Sequence, residues 1–363
     1  MGKLRADERV SIALRKMYQQ YGYSPYKVNR FEEYDLYMRN KRFLMSENVI
    51  AFSDMDGKLM ALKPDVTLSI IKNSGGEEGT IKVSYAENVY RVPRGEPGFK
   101  EIMQTGLEVI GSVDAYAMGE VLMLAGKSLE TISESYALDV ADLRIVSGIL
   151  AEENIADAQR EELLALIGDK NQHGLAAACD AMGLAEKTKS LLSALVSVYG
   201  PLFDTLEKYR TMDLPPSCGE ALDDLETMAA MMRAYGIKNV NLDFSVVNDM
   251  SYYNGLVFAG FIDGIPSGVL SGGRYDNLLR RMDKKGQAIG FAVYLDQLSR
   301  LMDAKEDYDV DVLIEYDGAA DPVAVAAAAQ AMIAGGESVR VQRAGDTGVR
   351  SRRRVCFGGE AEK

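Results

Sequence analysis

Apolar positions at the start of the chain fall at helical spacing. Val10, Ile12, Ala13, Leu14, Met17 and Tyr18 predict an amphipathic helix over 4–21, and Tyr21-Gly22-Tyr23-Ser24-Pro25 ends it. A long extended segment follows. Val49-Ile50-Ala51-Phe52 and Lys58–Leu62 flank Asp56-Gly57 and read as two strands joined by a tight turn. Lys63-Pro64-Asp65-Val66-Thr67 then opens a helix, with Pro64 near its first turn. Thr80–Val89 and about Thr105–Gly111 form a hairpin whose tip carries Pro93, Gly95, Pro97 and Gly98.

From Ala115 to about Tyr235 the periodicity is helical throughout, and Met228, Met231 and Met232 belong to its buried face. Strand character returns at Val240–Phe244, Leu256–Ile262 and Gly268–Leu270, and a last helix includes Tyr294–Met302. Strands and helices that do not alternate regularly predict an α+β fold on an antiparallel sheet. After Ala304-Lys305-Glu306-Asp307 the composition shifts, giving a strand (Val310–Glu315), an Ala-rich helix (Pro322–Ala334) and a strand (Val339–Gln342). The chain therefore divides into a core over 1–303, with a helical insertion at about 125–235, and a small α/β appendage over 304–363. Arg350, Arg352, Arg353 and Arg354 read as a solvated basic tail.

Composition narrows the function. A chain of 363 residues that is 47% hydrophobic buries a large core, and its net charge of −13 opposes nonspecific attraction to nucleic acid phosphates. Cys179, Cys218 and Cys356 lie far apart without CxxC spacing, which implies reduced thiols and a cytoplasmic protein. His173 is the single histidine and sits in a polar stretch, so neither an imidazole metal cluster nor a His-based mechanism has support. Neither a signal peptide nor an apolar run long enough to span a bilayer is present, and Gly-rich nucleotide loops are missing.

Two clusters carry candidate chemistry. Arg91 ends the first strand of the hairpin beside its Gly-rich tip, where a guanidinium can hold a carboxylate or phosphate through two bonds. Gln104 and Glu108, four apart on the second strand, share a face. A neutral amide beside a carboxylate suits a ligand with an amino group or a protonated ring, and an ordinary solvent-facing hairpin is the alternative. The second cluster runs from Asp243 through Tyr252 and Tyr253 to Gly272-Gly273-Arg274-Tyr275-Asp276. Its tyrosine pair can line a pocket with both ring and hydroxyl, and its glycines permit close backbone approach or positive φ.

Five separated segments, in this order, resemble the catalytic core of class II histidyl-tRNA synthetases over about 5–302. Tyr21-Gly22-Tyr23 through Glu32 is similar to the dimer-forming first motif, with Asn29 where that motif has proline. Lys63–Thr67 is similar to the segment that grips the amino acid's amino group, and Arg91 through Glu108 to the second motif. Tyr252 through Asp276 is similar to the histidine-specific signature, and Ala288–Val293 to the third motif. The resemblance implies a class II synthetase-like antiparallel sheet flanked by helices, and a pocket for histidine or a regulatory ligand built from Asp65, Thr67, Arg91, Gln104, Glu108, Tyr252 and Tyr253.

The departures point away from catalysis. Pro93 replaces the glutamate that helps seat ATP, Asn248 replaces the arginine that opens the histidine signature, and Asp296-Gln297 replaces the third motif's Glu-Arg pair. Adenylation develops negative charge on phosphorus, and fixed cations stabilise it. The sixty or so residues after the core also fall short of a full anticodon-binding domain, which with the acidic charge argues against tRNA as a partner. Such a chain resembles the regulatory-subunit family of ATP phosphoribosyltransferase. That resemblance implies a non-catalytic protein without cofactor or metal of its own, dimeric through its first-motif region. It also implies a hetero-octamer with a short-form catalytic subunit, sensitive to histidine through an allosteric coupling in histidine biosynthesis. The alternative is a divergent histidyl-tRNA synthetase, or a paralogue adenylating another small substrate, with Arg91, Arg94 or Arg274 compensating.

Overall fold

The computed structural model describes residues 5–44, 48–74, 79–92, 98–247, 252–298, 308–346 and 348–358. The chain forms two compact units, Val10–Leu298 and Ser299–Lys363 with Met1–Arg9. Among the described residues no helix is long and apolar enough to cross a membrane.

α1 (Ala6–Gln20), which runs into the larger unit from Val10 onward, buries Val10, Leu14 and Tyr18 at the expected spacing. β1 (Ser24–Pro25) and β2 (Phe31–Glu33) follow, and then a short helix α2 (Tyr34–Arg39) interrupts the expected extended stretch. Only Tyr37 of α2 is buried, and six residues are too few to display a period. β3 (Ala51–Ser53) and β4 (Leu59–Leu62) form the predicted hairpin, and α3 (Thr67–Asn73) starts after Pro64. The decorated hairpin is longer than its periodicity suggested: β5 (Ile81–Arg91) and β6 (Lys100–Gly111) pair without a break from Ile81–Ile110 to Arg91–Lys100.

The stretch expected to be all-helical contains a strand. After α4 (Ala115–Ile132) comes β7 (Tyr136–Asp142), followed by α5 (Leu143–Ile149), α6 (Asp157–Gly168), α7 (Gln172–Met182) and α8 (Glu186–Ser197). The short β8 (Gly200–Pro201), α9 (Leu202–Thr211) and α10 (Gly219–Ala234) complete the region. The helical insertion expected from about 125 is thus split by β7, which pairs along its full length with β10 (Leu256–Ile262). Its fully buried alternate positions, Leu138 and Val140, are also compatible with a helix until a partner strand is known.

β9 (Val240–Leu242), β11 (Leu270–Arg274), α11 (Asp276–Arg281) and β12 (Gln287–Tyr294) finish the unit. β11 begins where the sequence suggested that it ends, and includes Gly272-Gly273. A β-carbon at Gly272 would collide with Phe291 and the Gly290 carbonyl, so these glycines permit close packing of extended strands rather than a turn. The helix expected over Tyr294–Met302 is instead the end of β12 and a 3-10 turn, Leu295–Leu298; residues 299–302 lie outside the described set. The main sheet has the order β1-β5-β6-β12-β11-β10-β7-β9-β8, and its central pairs, from β5 to β7, are all antiparallel. β2, β4 and β3 make a second small sheet.

In the smaller unit β13 (Val310–Tyr316), α12 (Pro322–Ala334) and β14 (Val339–Arg343) match the expected β-α-β. The basic run is not a solvated tail. Ser351–Phe357 is β15, parallel to β13, and the sheet order is β14-β13-β15. Val355 and Phe357 pack with Val312, Ile314, Val325 and Ala329, while Arg353 pairs with Glu337 and Arg354 with Glu315.

Candidate functional site

One cavity of about 190 Å³ opens against the middle of the main sheet. Its walls include Asp65, Thr67, Arg91, Gln104, Glu108, Tyr252 and Tyr253, so the fold brings all seven candidate residues together. It does so through long-range pairing. β5 supplies Arg91, β6 supplies Gln104 and Glu108 on one face as their spacing required, and β12 closes against β6 with Gly290 opposite Glu108.

The segment carrying Asp65 and Thr67 is nailed in place from both sides. The Lys63 N–H donates to the Arg30 carbonyl and the Lys63 carbonyl accepts from the Tyr90 N–H. The Lys63 side chain, 1% exposed, meets Glu87 Oε2 at 2.5 Å, and Glu87 Oε1 accepts from the Val28 N–H. Removing one partner of a buried pair strands the other charge, at a cost of about 3–5 kcal/mol. Asp65 Oδ1 accepts from the Leu68 N–H at 2.8 Å, so this carboxylate also caps α3. Burial raises its pKa, opposed by that N–H and by the Arg91 charge.

Glu108, on the cavity wall, is 2% exposed. Oε1 accepts from Thr67 Oγ1 at 2.8 Å and Oε2 from the Tyr275 hydroxyl at 2.5 Å. Both donors are neutral. Burial therefore dominates, and with Asp65 repelling it the carboxyl is pushed up to about 8. Gly290 makes room for it, since a β-carbon there would collide with Glu108 Oε2 and the Leu107 carbonyl. Tyr252 packs at 4.8 Å from Tyr253 and 5.6 Å from Tyr275, ring centre to ring centre, which gives this end of the cavity aromatic walls. Gln104 is 5% exposed and lines the cavity, where its amide can offer a ligand both donors and an acceptor.

Arg91 is the only cation among the described residues that line the cavity, 5.5 Å from the centre of the Tyr294 ring. Arg274 is turned away into a 2.8 Å pair with Asp276, whose other oxygen accepts from the Ala288 N–H. Gln297 lies in the 3-10 turn after β12, donating to Asp296 and accepting from Ser267. Pro93, Arg94 and Asn248 lie outside the described residues. His173 is exposed on α7, and no cluster of metal-ligating side chains occurs among the described residues. Sequence reasoning missed Tyr85, Tyr275, Ser271, Tyr294 and Gly290 as parts of the cavity. Gly290 and Tyr275 stood inside noted motifs, but a side chain's direction from a strand depends on register.

An antiparallel sheet flanked by helices, with an amino-acid-sized cavity on its central strands, defines a class II aminoacyl-tRNA synthetase-like protein. The histidyl-tRNA synthetase family profile matches residues 2–298, and the chain belongs to that family. Its sequence is similar to proteins named ATP phosphoribosyltransferase regulatory subunit. It is 26% identical to that of Alkaliphilus metalliredigens, over 77% of this chain and 73% of the other. It is also 26% identical to that of Acetivibrio thermocellus, over 84% and 75%. The structure is similar to a Bacillus halodurans protein described as an ATP phosphoribosyltransferase regulatory subunit/histidyl-tRNA synthetase. That match has a TM-score of 0.81 and 25% identity, over 98% of this chain and 94% of the other. A chain of the ATP phosphoribosyltransferase complex of Thermotoga maritima shares the fold, with a TM-score of 0.62 and 20% identity over 81% and 98%.

Proposed function

We propose that this chain is the regulatory, non-catalytic subunit of an ATP phosphoribosyltransferase. It activates a short-form catalytic subunit and takes part in feedback by histidine held in the cavity. The observation that carries the reading is the cavity's composition. Groups suited to an amino acid are present, with Asp65, Thr67, Gln104 and Glu108 beside aromatic walls, while Arg91 is the single cation among its described lining residues. Transfer of an adenylyl group calls for several fixed cations around the phosphates. Losing two arginines would lower the rate by several powers of ten, at about 1.4 kcal/mol for each. Similarity to named regulatory subunits supports the same reading.

Self-association belongs to this proposal. Phe31 and Phe52 are 50% and 38% exposed, meet edge to face at 5.7 Å, and lie on the open side of the small sheet with Met60 and Leu62. Lys58 and Glu33 pair at 2.7 Å on the same sheet. A patch with apolar centre and both charge signs is self-complementary about a two-fold axis.

The test is to mix the purified chain with a short-form catalytic subunit and follow phosphoribosyl-ATP formation with and without histidine, alongside ATP–pyrophosphate exchange by the chain alone. Activity that appears only in the mixture and responds to histidine is the expected result. Histidine-dependent exchange by the chain alone would instead make it an adenylating enzyme.

A further inference from the structure

The helical insertion reaches the cavity wall at the 3-10 turn Phe244–Val247, which supplies Val246 to the lining. The turn is gripped from three sides. Helices α6 and α8 pack against it, Phe244 stacks on Tyr209 of α9 with ring centres 5.9 Å apart, and Asp243, just before it, pairs with Lys170, just after α6. Lys170 is an unusual residue for its place. Its N–H donates to the Ile167 carbonyl and the Asn171 N–H to the Leu166 carbonyl, the two bonds that close a helix through a left-handed residue. Glycine is the usual occupant, because a β-carbon is crowded there, yet Lys170 holds the position at a φ of +51°.

The side chain accounts for that choice. Lys170 Nζ lies 2.7 Å from Asp243 Oδ2 and 3.6 Å from the centre of the Tyr199 ring, so one ammonium ties the end of α6 both to the residue before β8 and to the turn. Asp243 passes the constraint on. Its Oδ1 accepts from the Ser245 N–H at 2.8 Å, and its own N–H donates to the Val140 carbonyl of β7, so it caps the turn while its backbone stays in the sheet. Asp139 of β7 faces the same pair. Burial raises the Asp139 carboxyl above the usual range against a hydrogen bond from Asn241; the Asp243 charge adds to the rise and the Lys170 charge opposes it. Without Lys170 the two carboxylates repel, and the turn loses the charge that holds its cap.

This element has two arrangements. Latched, it keeps a left-handed lysine in place; released, the lysine relaxes and the turn shifts, and an element of that kind can carry coupling between sites. On the reading of the cavity as an amino-acid site, on which this rests, we infer that Lys170 is a positioning residue for the cavity wall, and that its pair with Asp243 transmits the filling of the cavity from Val246 to helices α6–α9. The coupling is reciprocal: whatever engages those helices changes the affinity of the cavity by the same factor.

Hydrogen–deuterium exchange of the full chain with and without saturating histidine tests this. In the unaltered protein histidine should slow exchange in α3 and β6, which carry Thr67 and Glu108, and change it in α6–α9 as well. Lys170→Met keeps the apolar stem without the charge: the response of α3 and β6 should remain while that of α6–α9 is lost. Asp243→Asn, which keeps an oxygen for the Ser245 N–H, should behave alike even where Lys170→Met fails to fold, and Lys170→Arg should retain the full response. A role confined to stability would lower the unfolding midpoint of the charge-removing variants and leave the histidine response of α6–α9 in place, which overturns the inference. A wild-type response limited to α3 and β6 does the same. Absence of any response in α3 and β6 removes the amino-acid reading of the cavity and this inference with it.

Discussion

Glu108 shows what a single residue can and cannot disclose before its neighbours are known. Its place four residues after Gln104 on a strand put both side chains on one face, and the structure brings both to the cavity. What the spacing could not supply is the environment: Thr67, 41 residues away in sequence, and Tyr275, 167 away, complete its hydrogen bonds. Gly290, placed opposite by strand register, leaves it room. A carboxyl whose folded pKa is raised binds its proton more tightly in the folded state. Its contribution to stability is therefore full below the unfolded value of 4.5 and is lost as pH rises through about 8. Glu108→Gln removes this dependence. Relative to wild type, the variant should gain stability between about pH 5 and pH 8, on the order of 1.4 kcal/mol for each pH unit. Urea unfolding at the two pH values measures the difference, and an unchanged difference would show that Glu108 titrates in the ordinary carboxylate range.

At the scale of elements, periodicity was most informative where an element packs against one surface. α1 and α12 appear close to their expected bounds because their buried residues recur on one face or their caps are explicit, as with Asp321, whose carboxylate accepts from the Val323 N–H. α2, β7 and β15 escaped for different reasons. α2 has a single buried side chain, β7 is buried at five of its seven positions on both faces, and β15 hides two apolar positions behind a run of arginines. β15 matters to its unit, whose core is small: Val312, Ile314, Val325 and Ala329, with Val355 and Phe357 against them. Ile314→Ala should cost about 2–4 kcal/mol, by lost burial and the cavity left behind. Limited proteolysis should then show faster cleavage within 308–358 while the fragment over 10–298 persists; equal resistance to wild type would mean that the sheet is held by contacts other than this core.

For the whole molecule, the family was legible because its five motifs survive as sequence, whereas the assembly is a matter of surfaces. The exposed Phe31 and Phe52 pair lies at the end of the first-motif segment, on the sheet formed with β3 and β4. Replacing both by glutamate places two charges against their two-fold mates and removes apolar area at about 25 cal/mol per Å². The double variant should elute and scatter light as a monomer while wild type is dimeric. A monomeric wild type, or a dimer indifferent to both substitutions, would move the self-contact elsewhere.

The sequence by itself determined the α+β class, most element positions, the family and the seven residues that meet in the cavity, because periodicity, glycine and proline placement and motif order act over short range. Tertiary structure alone decided which side chains surround Glu108, that Arg274 turns to Asp276 and leaves Arg91 as the cation among the described cavity residues, and that the basic run pairs as a strand. Those outcomes depend on strand register between segments up to 190 residues apart, as Gln104 and Tyr294 pair across β6 and β12. Register is set by the packing of the whole sheet, which no local window of sequence contains.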